Sequence, residues 1–162
     1  MDFDRIVAVL RALEREGVAY KIIGGVAMNL QGLARATRDL DIFVRTDEEN
    51  IARLRRALKS VFDDESIDDI TAEDLAGEYP AIQYVPPVEG FHLDILARLG
   101  TAFDFDSIVT EPRMIDDVTV QVATPATLYA MKHATVRPRD QLDAAWLRAH
   151  TRVVVEVPPE EV

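Results

Sequence analysis

The stretch "RATRDLDIFV" (35–44) sets two carboxylates, Asp39 and Asp41, two residues apart in a run that then turns apolar, directly after two arginines. Alternation of this kind predicts a β-strand. Side chains alternate faces along a strand, so Asp39 and Asp41 point the same way, about 7 Å apart. Leu40, Ile42 and Val44 point the other way, into a core. Two carboxylates on one face repel each other unless a cation lies between them. Hard oxygen ligands favour Mg²⁺ or Mn²⁺. The strand-like run "FHLDILARL" (91–99) supplies a third acid, Asp94, between Leu93 and Ile95. If the two strands are neighbours, Asp39, Asp41 and Asp94 can share metal ions in a site for in-line phosphoryl or nucleotidyl transfer. Taken alone, an Asp-x-Asp pair is more often just the wet face of a strand.

Upstream, "KIIGGVAMNL" (21–30) reads as a strand, a Gly-Gly turn and a helix start. Glycines there let backbone N–H groups approach a phosphate, although a plain tight turn has the same appearance. Arg35 and Arg38 flank the acid pair. Each could grip a triphosphate by bidentate hydrogen bonds or form a salt bridge that quiets the carboxylates.

The combination resembles the nucleotidyltransferase superfamily typified by DNA polymerase β. That family's pattern is matched by Ile23-Gly24-Gly25, then Asp39-Leu40-Asp41-Ile42, then Leu93-Asp94-Ile95, with thirteen residues (26–38) between glycines and first acid. The likeness spans residues 18–99. "MKHATVRPRDQLDAAWL" (131–147) and "RATRDLDI" further resemble the AbiEii-like and MenT-like minimal nucleotidyltransferases, which include toxin halves of toxin–antitoxin pairs. The resemblance implies a mixed α/β (α+β) fold: a mixed central sheet flanked by helices, with a short C-terminal helical pair. It implies that Asp39, Asp41 and Asp94 are catalytic and hold Mg²⁺ or Mn²⁺. It also implies that Gly24, Gly25, Arg38, Lys132 and Asp140 meet the nucleotide, with Asp140 the later catalytic acid. The reaction implied moves an NMP from an NTP to a hydroxyl of a tRNA, a protein or a small molecule.

The rest of the chain reads as one domain: a catalytic core over 1–124, two helices over 125–150 and a tail over 151–162. Phe3, Ile6, Val9, Leu10 and Leu13 recur at helical spacing before Gly17. "TDEE" (46–49) matches a capping box with Thr46 as the cap. "FDDESIDDITAEDLAGEY" (62–79), with eight acids and no base, reads as an exposed excursion. It is also the surface that would meet a protein partner. "AIQYV" (81–85) and "FHLDILARL" read as two strands joined by a loop, and "PRMI" with "VTVQV" as a hairpin around Asp116-Asp117. Thr124-Pro125 starts a helix over 126–136. Pro138 starts another, with Leu142, Ala145, Trp146 and Ala149 on one face, Trp146 in the core, and Asp143 paired to Arg139 at i,i+4. The tail "RVVVEVPPEEV" is β-prone until its prolines.

A net charge of −11 disfavours general binding to nucleic acid. Absence of cysteine leaves neither disulfides nor thiolate metal sites. No zinc pattern, Walker A loop, Rossmann fingerprint or Gly-x-Ser-x-Gly elbow occurs. His92 shares a strand face with Asp94, whereas His133 and His150 have no partner in sequence. The acidic N-terminus does not read as a signal peptide, and no apolar run approaches the roughly 20 residues of a membrane span. The expectation is a soluble cytoplasmic enzyme. Two rivals stay open: a non-catalytic nucleotide-binding or antitoxin-type module, and an acidic protein-interaction domain.

Overall fold

The computed structural model describes residues 2–37 and 39–153. Arg38 and the tail 154–162 therefore lie outside the described residues, together with the expectations placed on them. The chain begins with helix α1 (Phe3–Arg15), whose N-cap Asp2 accepts from the backbone N–H of Asp4 and Arg5. Strand β1 (Tyr20–Ile23) follows and runs directly into helix α2 (Gly24–Leu30). After a loop come strand β2 (Asp39–Val44) and helix α3 (Glu48–Val61). A 3₁₀ turn (Glu65–Asp69) and helix α4 (Ala72–Ala76) lead to strands β3 (Ala81–Tyr84) and β4 (His92–Leu96). A two-stranded ribbon, β5 (Arg98–Leu99) with β6 (Phe103–Asp104), precedes the hairpin β7 (Thr110–Ile115) and β8 (Val118–Ala123). Helices α5 (Pro125–Lys132) and α6 (Pro138–His150) close the described chain. None of the described helices is long and apolar enough to cross a membrane.

Six strands form a mixed sheet in the order β3-β4-β2-β1-β8-β7. The pairs β2–β4 and β1–β8 are parallel, and the others antiparallel. This is the mixed α/β sheet implied by the sequence. One face carries Ile22, Leu40, Ile42, Leu93 and Ile95, all fully buried. They join Leu10 and Leu13 of α1 and Ile51, Leu54 and Leu58 of α3 in one core. The alternation of β2 thus buries one set of side chains and leaves Asp39 and Asp41 on the opposite face. At its far end that opposite face is covered: Phe43 is fully buried, and Lys21 donates to the carbonyls of Phe105 and Ile108.

Several expectations need correction. The cap of α3 is Asp47, which accepts from the N–H of Asn50, rather than Thr46. The acidic segment is not a loose excursion. Its acids point outward, but Ile67, Ile70 and Leu75 are buried, and Thr71 caps α4. Three apolar residues among the acids suffice to anchor it. Helix α5 stops at Lys132, short of residue 136. Helix α6 turns a different face inward: Asp143, Ala144 and Leu147 are buried, while Leu142, Ala145 and Ala149 are exposed. The hairpin at Asp116-Asp117 forms as read, with Asp116 at φ 54°.

Candidate active site

The acid pair and the lone acid meet because β2 and β4 are parallel neighbours. Asp41 is in register with Asp94, and Asp39 with His92. In such a ladder, residues paired in register project on the same side, so all four groups share the open face. Asp39 Oδ1 lies 3.3 Å from His92 Nδ1 but makes no aligned hydrogen bond, and it is buried. The Asp41 carboxyl is pushed up to about 7. Burial is the main cause, followed by hydrogen bonding and charge from Asp94 and charge from Asp39, partly offset by Lys132. Protonated, Asp41 can share a hydrogen with Asp94; ionised, it is met only in part by the charge of Lys132.

Gly24 sits at φ +69°, and any side chain there would overlap the Asp41 carboxylate. The glycine is therefore fixed twice, by the left-handed turn from β1 into α2 and by the approach of Asp41. A Cβ on Gly25 would fall 2.5 Å from Thr37 Oγ1, so the loop before β2 packs directly on the glycine turn.

The C-terminal helices supply the cationic side. Lys132, at the end of α5, is buried, with Nζ 2.9 Å from Asp143 Oδ2 and 3.3 Å from Asp140 Oδ1. Asp140 also accepts from Thr135 Oγ1 at 2.8 Å. Arg35, from the loop before β2, donates through Nη1 to Asp143 Oδ1 at 2.8 Å. Asp143 is 2% exposed. Two sequence expectations are thereby corrected. Asp143 is buried between Arg35 and Lys132 instead of pairing with Arg139 on the surface. Arg35 pairs across to α6 instead of quieting Asp39 or Asp41. Asp143 was missed because a more apolar stripe on α6 pointed outward. The signal available was its i,i+4 spacing to Leu147, the helix's most buried leucine.

The structure thus gathers Asp39, Asp41, Asp94, Gly24 and Gly25 at one end of β2, with the Lys132 charge acting on Asp41 and Asp140 held beside that lysine. The donor chemistry suits a hard divalent cation: three carboxylates, one raised by burial and by its acidic neighbours, and one buried carboxylate oxygen without a hydrogen bond. Among the described residues no three acids or histidines already stand as a metal cage, so a cation would have to draw them round it. A separate cleft of about 270 Å³, lined by Arg45, Thr46, Leu75, Arg98 and Phe105, lies at the other end of β2.

A family model described as "Nucleotidyl transferase AbiEii toxin, Type IV TA system" matches residues 10–154. No curated protein matches the chain. The matched range runs from within α1 past the end of α6, so it takes in all three strand carboxylates and the helical pair that carries Lys132 and Asp143. The chain belongs to the AbiEii family of nucleotidyl transferase toxins from type IV toxin–antitoxin systems.

Proposed function

We propose that the protein moves a nucleoside monophosphate from an NTP to a hydroxyl acceptor in a reaction that depends on Mg²⁺ or Mn²⁺. The observation that carries this reading is the register of Asp41 with Asp94, which sets two carboxylates face to face on the open side of the sheet. A divalent cation held by Asp39, Asp41 and Asp94 would neutralise phosphate charge and acidify the acceptor hydroxyl. Asp94 orients the acceptor and takes up its proton. The acceptor oxygen bonds to the α-phosphorus, the bond from that phosphorus to the bridging oxygen breaks, and pyrophosphate leaves. Gly24 and Gly25 let the backbone lie close to the triphosphate. Lys132, braced by Asp140 and Asp143, meets its charge, and Arg38 would add a second cation. A tRNA end, a protein hydroxyl and a small molecule are all chemically suitable acceptors.

The test uses NTP labelled in turn at the α- and γ-phosphate, incubated with the protein and a cell extract. The reading predicts acceptor labelled from the α position only, and loss of at least a thousandfold in rate for Asp41→Asn, on the order of removing a group that binds the transition state. Transfer at the wild-type rate by that variant would sink it.

A further inference from the structure

A guanidinium offers five N–H donors in a rigid plane, and Arg35 commits few of them. Nη1 bonds Asp143 Oδ1. Nε is buried without a hydrogen-bond partner. Nη2 takes no acceptor among the described residues, and it lies 3.3 Å from where a Cβ on Gly25 would stand. The unused side of the guanidinium is therefore the Nε–Nη2 edge, and it rests against the glycine turn. Asp39 Oδ1 and Asp143 Oδ2 are likewise buried without an aligned hydrogen bond, so none of the three orphans satisfies another, and Lys132 meets Asp143 Oδ2 as an ion pair. A buried charged donor left without an acceptor is costly, and native proteins rarely keep one without use.

We infer that Arg35 is a phosphate-binding residue of the nucleotide site, held by Asp143 so that its Nε–Nη2 edge takes two oxygens of the β/γ half of a nucleoside triphosphate. This inference rests on the nucleotidyl-transfer reading above. The order of contacts gives the direction: Asp41 touches Gly24, and Arg35 touches Gly25 one residue on. On the nucleotidyl-transfer reading the α-phosphate reacts at the carboxylates beside Gly24, so the fork beside Gly25 is assigned to the β/γ half. A planar fork fits two phosphate oxygens, which an ammonium cannot match. Asp143 touches no substrate. It is a positioning residue, its buried carboxylate fixing the far side of the guanidinium and of Lys132 at once. The C-terminal helical pair is in consequence a wall of the nucleotide site.

The test is calorimetric titration with the magnesium complexes of ATP and GTP, and with AMP and GMP, on the wild type, Arg35→Gln, Arg35→Lys and Asp143→Asn. Thermal unfolding of each ligand-free variant reports its folding. Arg35→Gln is expected to weaken triphosphate binding by about tenfold to a hundredfold, the usual effect of losing a charged hydrogen-bonding pair, with monophosphate binding unchanged. Arg35→Lys, which keeps the charge but not the fork, is expected to lose about tenfold. Asp143→Asn is expected to shift triphosphate affinity in the same direction. Triphosphate affinity that survives in folded Arg35→Gln and Arg35→Lys overturns the inference alone. Equal losses for triphosphate and monophosphate also overturn it, because they mark a structural role. A wild type that binds no nucleotide overturns the nucleotide reading itself, and the inference with it.

Discussion

Asp41 concentrates the tension of the site in one side chain. Its carboxyl titrates at about 7 in the folded protein against 3.8 for the ordinary group, because burial and the neighbouring Asp94 and Asp39 disfavour charge. Between about pH 4 and pH 7 the folded state therefore holds a proton that the unfolded chain has released. Stability must fall as pH rises through that window and level off above it, by an amount on the order of a few kcal/mol. Asp41→Asn should remove this slope, so that at pH 8 without divalent cation the variant melts above the wild type. Thermal unfolding from pH 4 to pH 8 checks it; an unchanged slope in the variant would place the effect elsewhere. Gly24→Ala belongs at the same scale. A Cβ at φ +69°, pressed into the Asp41 carboxylate, should cost roughly 2–4 kcal/mol and displace the acid. Denaturant unfolding of that variant measures the cost.

At the scale of elements, the strands were legible because their alternation is strict: "RDLDIFV" and "FHLDIL" each write a buried and an open face into the sequence. Their adjacency was not legible. Nothing in either segment specifies that β4 pairs with β2 in parallel rather than with β8, and the meeting of Asp41 with Asp94 depends on that pairing. Helix boundaries were blurred where two residues compete for one role. Thr46 and Asp47 are both good caps, and the backbone places Asp47 over the N–H of Asn50. Asp47→Ala should therefore cost about 1 kcal/mol and Thr46→Ala much less. The acidic segment misled in a different way, since its charge density hid Ile67, Ile70 and Leu75. Leu75→Ala should destabilise by roughly 2–5 kcal/mol, whereas Glu73→Gln, on the exposed face, should stay within about 0.5 kcal/mol. Equal effects of the two would return the segment to a loose excursion.

For the molecule as a whole, the helical pair α5–α6 is part of the same body as the sheet. Leu128 and Leu147 are fully buried in the common core, and Arg35–Asp143 ties α6 to the loop before β2. A chain ending at residue 124 should lose cooperative unfolding, because truncation uncovers both leucines and leaves Arg35 without its partner. The cationic half of the site was illegible for the same reason. Arg35 and Asp143 stand 108 residues apart, and only the folded chain brings them together. The Asp39–Asp41 pair could be read because its spacing is local, two residues within one strand, whereas Asp94 joined it in the sequence only on the condition that the strands are neighbours and through the family resemblance. Everything proposed for this protein depends on these carboxylates forming a cation-dependent nucleotide site. The most direct measurement is calorimetric titration of each Mg·NTP into the wild type and into the double variant Asp39→Ala/Asp41→Ala. A carboxylate-held nucleotide site gives metal-dependent binding by the wild type and none by the double variant; binding that is equal in both, or absent from the folded wild type, rules such a site out.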